Sequence, residues 1–587
     1  MAPAMGVAAD LDPLEGLVLP IWAPELRPHQ DKALRDIYAA YQAGKRCIIV
    51  EAPTGAGKTL IGECAAQMLD ARAIYVCTTK SLQEQFMADF PEARMIKGRA
   101  NYPTQRKPFP EWSCEDCDWK KDRGCSYCYD RNSCSYLVAK RQAEKARIAV
   151  ANTAYYLAMS NGAARVDNVP GYLGHDEDTG TSYGLKGRGL AIFDEADELE
   201  NVLLGWIEFR VGPRILRDLQ ADSQLQESKG GQLSIRKPIP PLPDPQKSRW
   251  PERITWLQAV AGEALRLHDL AVREEKEREM KRWWKVYEQA QWVLEDLGES
   301  RAEADESKEP WVYDVENGAA IFKPVRVAKY GNRIFQHAHV NLIVSATIVA
   351  PQQFAEDLGI PPEDYAFITV DCAFPKERRP MFAAPCANVT SKEKDKAYPA
   401  LVKRIREIVT QHPQRTLVHT VSYDLARYLC EELRPVLGDR VITYSGSAER
   451  DWALEQLRGH PQGVLFAPSM ERGINLKGDD CRNVIVAKVP WPNMGDKRVK
   501  RRKYQPNPRA GQLWYSIQTL RAIIQMTGRG MRSAGDWCRT WILDEQFLRL
   551  WRECRHLLPK WWAEAVLTHD RDPIAMLGID REDPCQK

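Results

Sequence analysis

One short segment constrains the fold of this chain more than any other. Residues 52–59 read Ala-Pro-Thr-Gly-Ala-Gly-Lys-Thr, between the apolar run Cys47–Glu51 and the helical pattern Leu60–Leu69. A small-residue turn between a strand and a helix lets backbone N–H groups surround phosphate oxygens at the helix N-terminus. In such a P-loop, Lys58 reaches the β- and γ-phosphates and Thr59 ligates Mg²⁺. The departure is Ala52, where glycine is usual, and alanine costs little there if its φ is negative.

A second motif supplies acidic side chains. Asp194-Glu195-Ala196-Asp197 directly follows the apolar run Leu190–Phe193. Carboxylates at the carboxyl end of a strand lie where P-loop folds hold Mg²⁺ and the attacking water. We therefore predict that Asp194 holds the metal and that Glu195 polarises the water. This half of the chain is expected to bind and hydrolyse a nucleoside triphosphate.

A third motif lies near the other end of the chain. Residues 525–532 read Gln-Met-Thr-Gly-Arg-Gly-Met-Arg, so that Arg529 and Arg532 are three residues apart, on one face of a helix. Arginines of this kind can stabilise charge on the transferred γ-phosphoryl group from another domain. The candidate catalytic residues are Lys58, Asp194, Glu195, Gln525, Arg529 and Arg532.

Length and charge limit the other possibilities. A chain of 587 residues predicts two to four domains. The net charge of +3 indicates no overall basicity, although a local basic face can be hidden in such a total. The sequence contains neither a stretch long and apolar enough to span a membrane nor a basic signal-peptide region, so a cytoplasmic protein is expected.

The ordered motifs resemble those of superfamily 2 helicases, and several details are similar to the XPD/DinG family in particular. The resemblance runs from about Leu26 to Phe547, nearly the whole chain. The residues that carry it are Gln30, the P-loop, Thr78–Leu82 with Gln85, Gly98–Tyr102, Cys134–Tyr136, Val150–Asn152, Asp194–Asp197, Ser345–Thr347 and Gln525–Arg532.

The resemblance implies an α/β fold with two RecA-like P-loop domains, the first of them interrupted by a cysteine-rich metal-binding insertion and a mostly helical, arch-like insertion. The implied boundaries are 1–97, 147–206 and 331–355 for the first domain, 98–146 and 207–330 for its insertions, and 356–587 for the second domain. ATP would bind in the cleft, with Gln30 at the adenine edge. The residues implied for ATP and Mg²⁺ binding are Gln30, Thr54, Gly55, Ala56, Gly57, Lys58, Thr59 and Asp194.

The function implied is an ATP-dependent DNA helicase that unwinds duplexes while moving 5′ to 3′ along single-stranded DNA. The strand would pass near Thr79, Lys80, Asn152 and the loop Thr420–Tyr423. DNA is the family's usual substrate, and the motifs themselves do not distinguish it from RNA. The alternative is an ATP-driven translocase or remodeller recruited to a larger complex without processive unwinding, because the two activities share every motif.

Two motifs depart from the family pattern. Asp197 stands where histidine is usual, which is expected to alter the link between the ATP site and the strand-binding site. In the motif Ser469–Asn475, Arg472 and Asn475 stand where glutamate and aspartate are common. Neither departure removes a catalytic residue.

Five of the 15 cysteines fall within 21 residues: Cys114, Cys117, Cys125, Cys128 and Cys134. Without an export signal, such a cluster more often binds metal than forms disulfides. The family resemblance implies a [4Fe–4S] cluster held by four of the five, with Cys114 or Cys117 as the first ligand and Cys125, Cys128 and Cys134 as the last three. This cysteine segment also departs from the family pattern, since Thr104 stands where the family's first cysteine is usual. Zn²⁺ bound by the two CxxC pairs is the rival interpretation.

The densest basic run is Lys497–Tyr504, which is predicted to be a loop. Such a run is either a solvated surface or a contact to nucleic-acid phosphates. The sequence does not separate these two interpretations.

Overall fold

A computed structural model describes residues 12–577 except 106–111, 116, 118, 121–123, 126–132, 162–187, 224–226, 230–231, 235–238, 299–308, 470–475, 477, 529, 532–534 and 569–570. This part of the chain forms two seven-stranded sheets, one three-stranded sheet and two small two-stranded sheets. Among the helices described, none combines the length and the apolar character that a membrane span requires.

The strands, in chain order, are β1 Cys47–Glu51, β2 Ala73–Cys77, β3 Arg94–Met95, β4 Trp119–Lys120, β5 Gly124–Cys125, β6 Ile148–Asn152, β7 Leu190–Asp194, β8 Phe209–Val211, β9 Glu227–Lys229, β10 Gln232–Ser234, β11 Trp311–Glu316, β12 Ala319–Pro324, β13 Val340–Ser345, β14 Tyr365–Thr369, β15 Met381–Ala387, β16 Thr416–His419, β17 Val441–Thr443, β18 Val464–Ala467, β19 Asn483–Val486, β20 Arg539–Asp544 and β21 Val566–Leu567.

The helices are α1 Pro28–Gln42, α2 Lys58–Met68, α3 Lys80–Asp89, α4 Ser135–Lys145, α5 Thr153–Asn161, α6 Leu199–Ile207, α7 Pro213–Ser223, α8 Trp250–Arg273, α9 Glu277–Gly298, α10 Asn332–Phe335, α11 Pro351–Asp357, α12 Lys394–Gln411, α13 Tyr423–Leu437, α14 Arg450–Gly459, α15 Lys497–Tyr504, α16 Pro508–Thr527, α17 Gln546–Cys554, α18 Lys560–Ala563 and α19 Pro573–Leu577.

The first large sheet has the strand order β14-β1-β13-β7-β2-β6-β3, and every neighbouring pair is parallel. Its strands are continuous apolar runs because both faces are covered, as parallel sheets require. Along β1, Ile48 and Val50 pack against one cluster, which includes Leu34 and Leu60, whereas Ile49 belongs to the cluster on the other face. We call this sheet and its helices the first lobe.

The second large sheet has the order β17-β18-β16-β19-β20-β15-β21 and is also parallel throughout. Val418 and Leu425 belong to the apolar cluster on one face, whereas Val486 and Ile524 belong to the cluster that includes helix α16. We call this sheet and its helices the second lobe. The predicted α/β architecture with two parallel sheets is therefore confirmed.

The segment between α6 and β13 contains the long helices α8 and α9 and also a three-stranded antiparallel sheet with the order β11-β12-β8. Helices and sheet share one core, in which the rings of Trp256 and Phe322 stack with centroids 6.3 Å apart. Trp283 is buried, and Trp284 packs edge-on against His268 of the neighbouring helix. The insertion thus contains a β-sheet, which the prediction of a mostly helical insertion did not include.

The first lobe extends further along the chain than the sequence indicated. Strand β14 lies after the expected boundary at residue 355, yet it pairs in parallel with β1 from Cys47↔Tyr365 to Glu51↔Thr369. It is an edge strand whose side chains are mostly half-buried, in contrast to the fully buried side chains of β1. The chain therefore leaves the first sheet only after Thr369.

The prediction of a loop at Lys497–Tyr504 is wrong, because these residues form helix α15. Asp496 caps the helix by accepting hydrogen bonds from the N–H groups of Arg498 at 2.7 Å and Val499 at 3.1 Å. Lysine and arginine are good helix formers, and such a cap satisfies two otherwise unpaired donors. A dense run of positive charge was therefore compatible with a helix.

A close backbone approach near the end of the first lobe yields a stability prediction. A Cβ on Gly331 would overlap the carbonyl oxygen of Leu358, whereas a Cβ on Gly262, inside α8, would meet nothing within 4 Å. We expect Gly331→Ala to destabilise the protein by about 1–3 kcal/mol, and Gly262→Ala to stabilise it by roughly 0.5–1 kcal/mol through helix propensity. Thermal unfolding should show opposite shifts of the midpoint, and equal shifts would contradict the assigned packing.

Candidate active site

The P-loop joins β1 to α2 in the conformation that its sequence predicts. Gly55 and Gly57 both have φ of +81°, a region that favours glycine, and α2 begins at Lys58. Ala52 is not among the residues with positive φ, so alanine is tolerated where glycine is usual. Its N–H donates to the carbonyl of Ser345 at 2.9 Å, which ties the loop to β13.

The side chain of Gln30 binds the backbone of the P-loop. Its Nε2 donates to the carbonyl oxygen of Ala56 at 2.9 Å, and its Oε1 accepts from the N–H of Arg27 at 2.9 Å. The side chain is buried, and a Cβ on Gly57 would overlap Nε2. Both ends of the amide thus bind protein backbone here, whereas the sequence led us to expect an adenine contact.

The P-loop lysine and the acidic motif meet at the centre of the first sheet. Lys58 Nζ lies 3.6 Å from Glu195 Oε1. The hydroxyl of Tyr75 donates to Asp194 Oδ2 at 2.8 Å, and the N–H of Glu195 donates to Asp194 Oδ1 at 3.0 Å. Burial raises the pKa of Asp194, and the charge of Lys58 opposes that shift. Burial thus disfavours the charged form of Asp194, and a nearby cation stabilises that form.

Tyr75 is a site residue that sequence reasoning missed. It lies on β2, next to β7, and is buried. Its hydroxyl orients Asp194, and burial raises the pKa of the phenol far above its usual value, so that it stays a hydrogen-bond donor. In the sequence it is one ring in the apolar strand Ala73–Cys77, and no local pattern marks it.

Asp197 connects the acidic motif to β13. The hydroxyl of Ser345 donates to Asp197 Oδ1 at 2.6 Å and accepts from the N–H of Thr347 at 3.1 Å. All three residues are buried. The unusual aspartate therefore makes a direct hydrogen bond between the two motifs.

Gln525 brings the second lobe to the site. Its Nε2 donates to Thr347 Oγ1 at 3.0 Å and lies 3.3 Å from Glu195 Oε2. Gly528 approaches the P-loop closely, since a Cβ there would lie 3.3 Å from Thr54 Oγ1. Three motifs that are distant in sequence are thus joined by one amide group at the end of α16.

Arg529 and Arg532 lie outside the described residues. So does the motif Ser469–Asn475, except for Ser469 itself. Helix α16 ends at Thr527, immediately before them. Their predicted contact with the γ-phosphoryl group stays a prediction.

The side chains of Cys114, Cys117 and Cys134 are described, and all three are buried. Cys114 and Cys134 pack together beside Tyr102 and Tyr136, and the proximity of the two thiols adds to the effect of burial in raising the pKa of Cys114. The side chain of Cys125 and all of Cys128 lie outside the description. Among the described residues, no three candidate ligands come together. The observed pair thus fits two neighbouring ligand positions and not a complete set.

The residues expected to face a nucleic-acid strand lie at the carboxyl ends of parallel strands. Thr79 follows β2 and caps α3, Asn152 ends β6, and Tyr423 follows β16 with its ring partly exposed. Beyond β18, Ser469 accepts a hydrogen bond from Arg450 Nη2 at 2.9 Å. The carboxyl ends of parallel strands are where open α/β sheets bind ligands.

Comparison with known proteins yields two family matches in separate parts of the chain. Residues 23–199 match the family described as type III restriction enzyme, res subunit. Residues 405–565 match the helicase C-terminal domain family. The first match contains the P-loop and the acidic motif, and the second contains Gln525.

Two curated relatives share shorter segments. The Fanconi anemia group J protein homolog of Gallus gallus is 28% identical over 135 residues, which are 21% of this chain and 11% of that protein. The regulator of telomere elongation helicase 1 homolog of Caenorhabditis elegans is 25% identical over 118 residues, 18% of this chain and 12% of that protein. The chain therefore spans only a small part of the length of these relatives.

Solved structures share the fold over most of the chain. An XPD helicase structure has a TM-score of 0.56 at 15% identity, covering 93% of this chain and all of that one. The Xpd4 protein of S. tokodaii has a TM-score of 0.54 at 13% identity, with the same coverage. In its ordered motifs, its two family matches and its fold, the chain is similar to helicases of the XPD/DinG-like branch of superfamily 2.

Proposed function

We propose that this protein is an ATP-dependent DNA helicase that moves 5′ to 3′ along single-stranded DNA and separates duplexes. The observation that carries the proposal is the position of Gln525, whose amide contacts both Glu195 and Thr347. A hydrolysis site completed by the second lobe changes when the lobes move, so ATP turnover and lobe movement depend on each other. The described cysteines are free thiols, which suits a cytoplasmic protein, and we propose that location.

Each site residue has a proposed role. Lys58 binds the β- and γ-phosphates, and Thr59 and Asp194 hold Mg²⁺, which supplies charge neutralisation when bound. Glu195 orients the attacking water, with Gln525 beside it. Arg529 and Arg532 stabilise the charge of the transferred group. Gln30 holds the loop of Thr54, Gly55, Ala56 and Gly57 in its binding conformation through the carbonyl of Ala56.

The proposed domain division follows the two sheets. Residues up to Thr369, with the insertions 98–146 and 207–330, form a RecA-like first domain, and residues from β15 onward form the second. Single-stranded DNA would cross the carboxyl edges of both sheets near Thr79, Asn152 and Tyr423. The arch-like character of the second insertion is part of the same proposal.

Gly57→Ala is expected to weaken ATP binding. Its φ of +81° is unfavourable for alanine, and the new Cβ would displace Gln30. The strain of about 1–2 kcal/mol corresponds to roughly tenfold weaker binding. Titration with a non-hydrolysable ATP analogue measures the change. Gly44→Ala is the control, since Gly44 has a similar φ of +77° but open space around it. Equal affinities for the two variants would contradict the proposed P-loop role.

The wild-type protein should hydrolyse ATP faster with single-stranded DNA and displace the strand of a 5′-tailed duplex. Gln525→Ala removes a polar group beside the attacking water, and kcat should fall roughly a hundredfold. Gln512→Ala, on the same helix but bonded only locally to Ser516, is the control. Unwinding of 3′-tailed duplexes alone would overturn the polarity. Translocation without strand displacement would favour a remodeller.

For the cysteine segment we propose a [4Fe–4S] cluster with Cys114 and Cys134 among its ligands, which would stabilise a small polar insertion. Cys125, Cys128 and Cys117 are the candidates for the remaining positions. The rival proposal is Zn²⁺ held by two CxxC pairs.

Metal analysis after anaerobic purification separates these proposals. We expect about four iron and four sulfide per chain, lost in Cys134→Ser and kept in Cys430→Ser, whose thiol lies in the core of the second lobe. About one zinc per chain would favour the CxxC site. A protein with neither metal would contradict both.

A further inference from the structure

Helix α15 has two different faces. Arg498 and Arg502 are four residues apart on one face and are almost completely buried, with 4% and 1% of their surface exposed. Lys500 lies exposed on another face. Buried arginines are rare unless they are paired, so the partners of this face define its role.

The partners are carboxylates of the first lobe. Arg498 Nη2 lies 2.7 Å from Glu200 Oε1, to which Arg502 also donates. The second arm of the Arg502 guanidinium lies 2.7 Å from Asp357 Oδ1. Glu200 is on α6 and Asp357 ends α11. One guanidinium of the second lobe therefore links two helices of the first.

Aromatic packing fixes the geometry of these pairs. The ring of Trp514, on α16, lies 4.3 Å from the Arg502 guanidinium and 5.8 Å from that of Arg498. Helices α15 and α16 are closely joined, because a Cβ on Gly511 would overlap the backbone carbonyls of Arg502 and Lys503. The two arginines and α16 thus form one closely packed unit.

A third arginine of the second lobe extends the contact. Arg521, on α16, donates through Nη2 to the carbonyl of Ile348 at 2.9 Å. The next N–H, that of Val349, donates to Glu51 Oε1 at 2.9 Å. Val349 and Ala350 both have positive φ, a conformation that non-glycine residues keep only with support from their surroundings. The segment after Thr347 is therefore held by both lobes.

Glu200 keeps its negative charge at neutral pH. Burial raises the pKa of Glu200, but Arg502 and Arg498 outweigh burial and hold it at about 2. An ionised, buried carboxylate that loses a partner is strongly destabilised, so the pairs resist separation.

We propose that Arg498 and Arg502, by binding Glu200, are positioning residues that set the contact of Gln525 with Glu195. Glu200 lies five residues after Glu195, and Gln525 is on the helix that packs against α15. The ion pairs therefore fix the two elements that carry the catalytic contact. The basic run serves ATP turnover instead of binding nucleic-acid phosphates. This inference rests on the proposed ATPase function.

The proposal predicts a specific kinetic signature. The P-loop and its contact with Gln30 lie within the first lobe, so the proposal expects little effect of α15 on ATP binding. Weakening the ion pairs misplaces Gln525 relative to Glu195, and this affects the transition state more than the bound substrate. The effect should appear in kcat, with little change in KM.

Two conservative variants test the pairs from opposite sides. Arg502→Lys keeps the charge but cannot bind Glu200 and Asp357 together, and Glu200→Gln keeps the shape but removes the charge. With saturating single-stranded DNA, we expect kcat for ATP to fall roughly tenfold in both, with KM within about twofold of wild type. Lys500→Gln, which removes a charge from the exposed face of the same helix, is the matched control and should leave both constants unchanged.

Hydrogen exchange of the peptides covering α6 and residues 346–351 gives a readout that needs no ATPase activity. The proposal expects faster exchange in both variants and wild-type exchange in Lys500→Gln. Unchanged exchange together with unchanged kcat would overturn the proposal. A wild-type protein that lacks ATPase activity, but whose variants show faster exchange, would overturn the proposed function and leave the ion pairs as the link between the lobes.

Single-stranded DNA affinity, measured against salt concentration, tests the opposing role. If the run binds phosphates, Lys500→Gln should weaken binding and reduce the salt slope by about one, whereas Arg502→Lys should preserve both. That pattern, with kcat intact in Arg502→Lys, would overturn the positioning role.

Discussion

The side-chain amide of Gln525 contacts Thr347 and Glu195 at once, and the organisation of the active site depends on this bridge. Thr347 donates its N–H to Ser345, whose hydroxyl binds Asp197. A displacement of α16 therefore changes contacts that lead to two residues of the acidic motif, Glu195 and Asp197. Because Asp197, Ser345 and Thr347 are buried, breaking their hydrogen bonds leaves unsatisfied polar atoms, and intermediate lobe positions are disfavoured.

An amide bridge of this kind needs a fixed distance between the lobes, and apolar packing alone would not specify it. The interface instead buries three arginines of the second lobe near carboxylates of the first, with Arg502 shared between Glu200 and Asp357. Such pairs contribute little net stability, since desolvation offsets most of their attraction. Their directional hydrogen bonds do favour one arrangement over others that would leave a charge unpaired.

The sequence predicted the features that depend on neighbouring residues. Strands β1 and β7 are predicted from continuous apolar runs, and the P-loop is predicted from the strand and helix patterns that flank it. The role of Tyr75 and the ion pair between Arg502 and Glu200 were not predicted, because each depends on a residue far away in the chain. Arg502 and Glu200 are 302 residues apart. The sequence predicts a loop where helix α15 lies, because a dense run of positive charge is typical of loops, although the Asp496 cap is visible in the sequence.

The departure at Asp197 acquires a physical meaning from its surroundings. An aspartate can only accept hydrogen bonds when ionised, and Ser345 supplies the donor at 2.6 Å. In this chain Asp197 thereby links the acidic motif to Ser345–Thr347. Within the first lobe this link runs through Asp197, and between the lobes through Gln525. Two short hydrogen-bonded paths thus meet at Thr347, and two residues later the backbone passes through Val349 and Ala350, which both have positive φ.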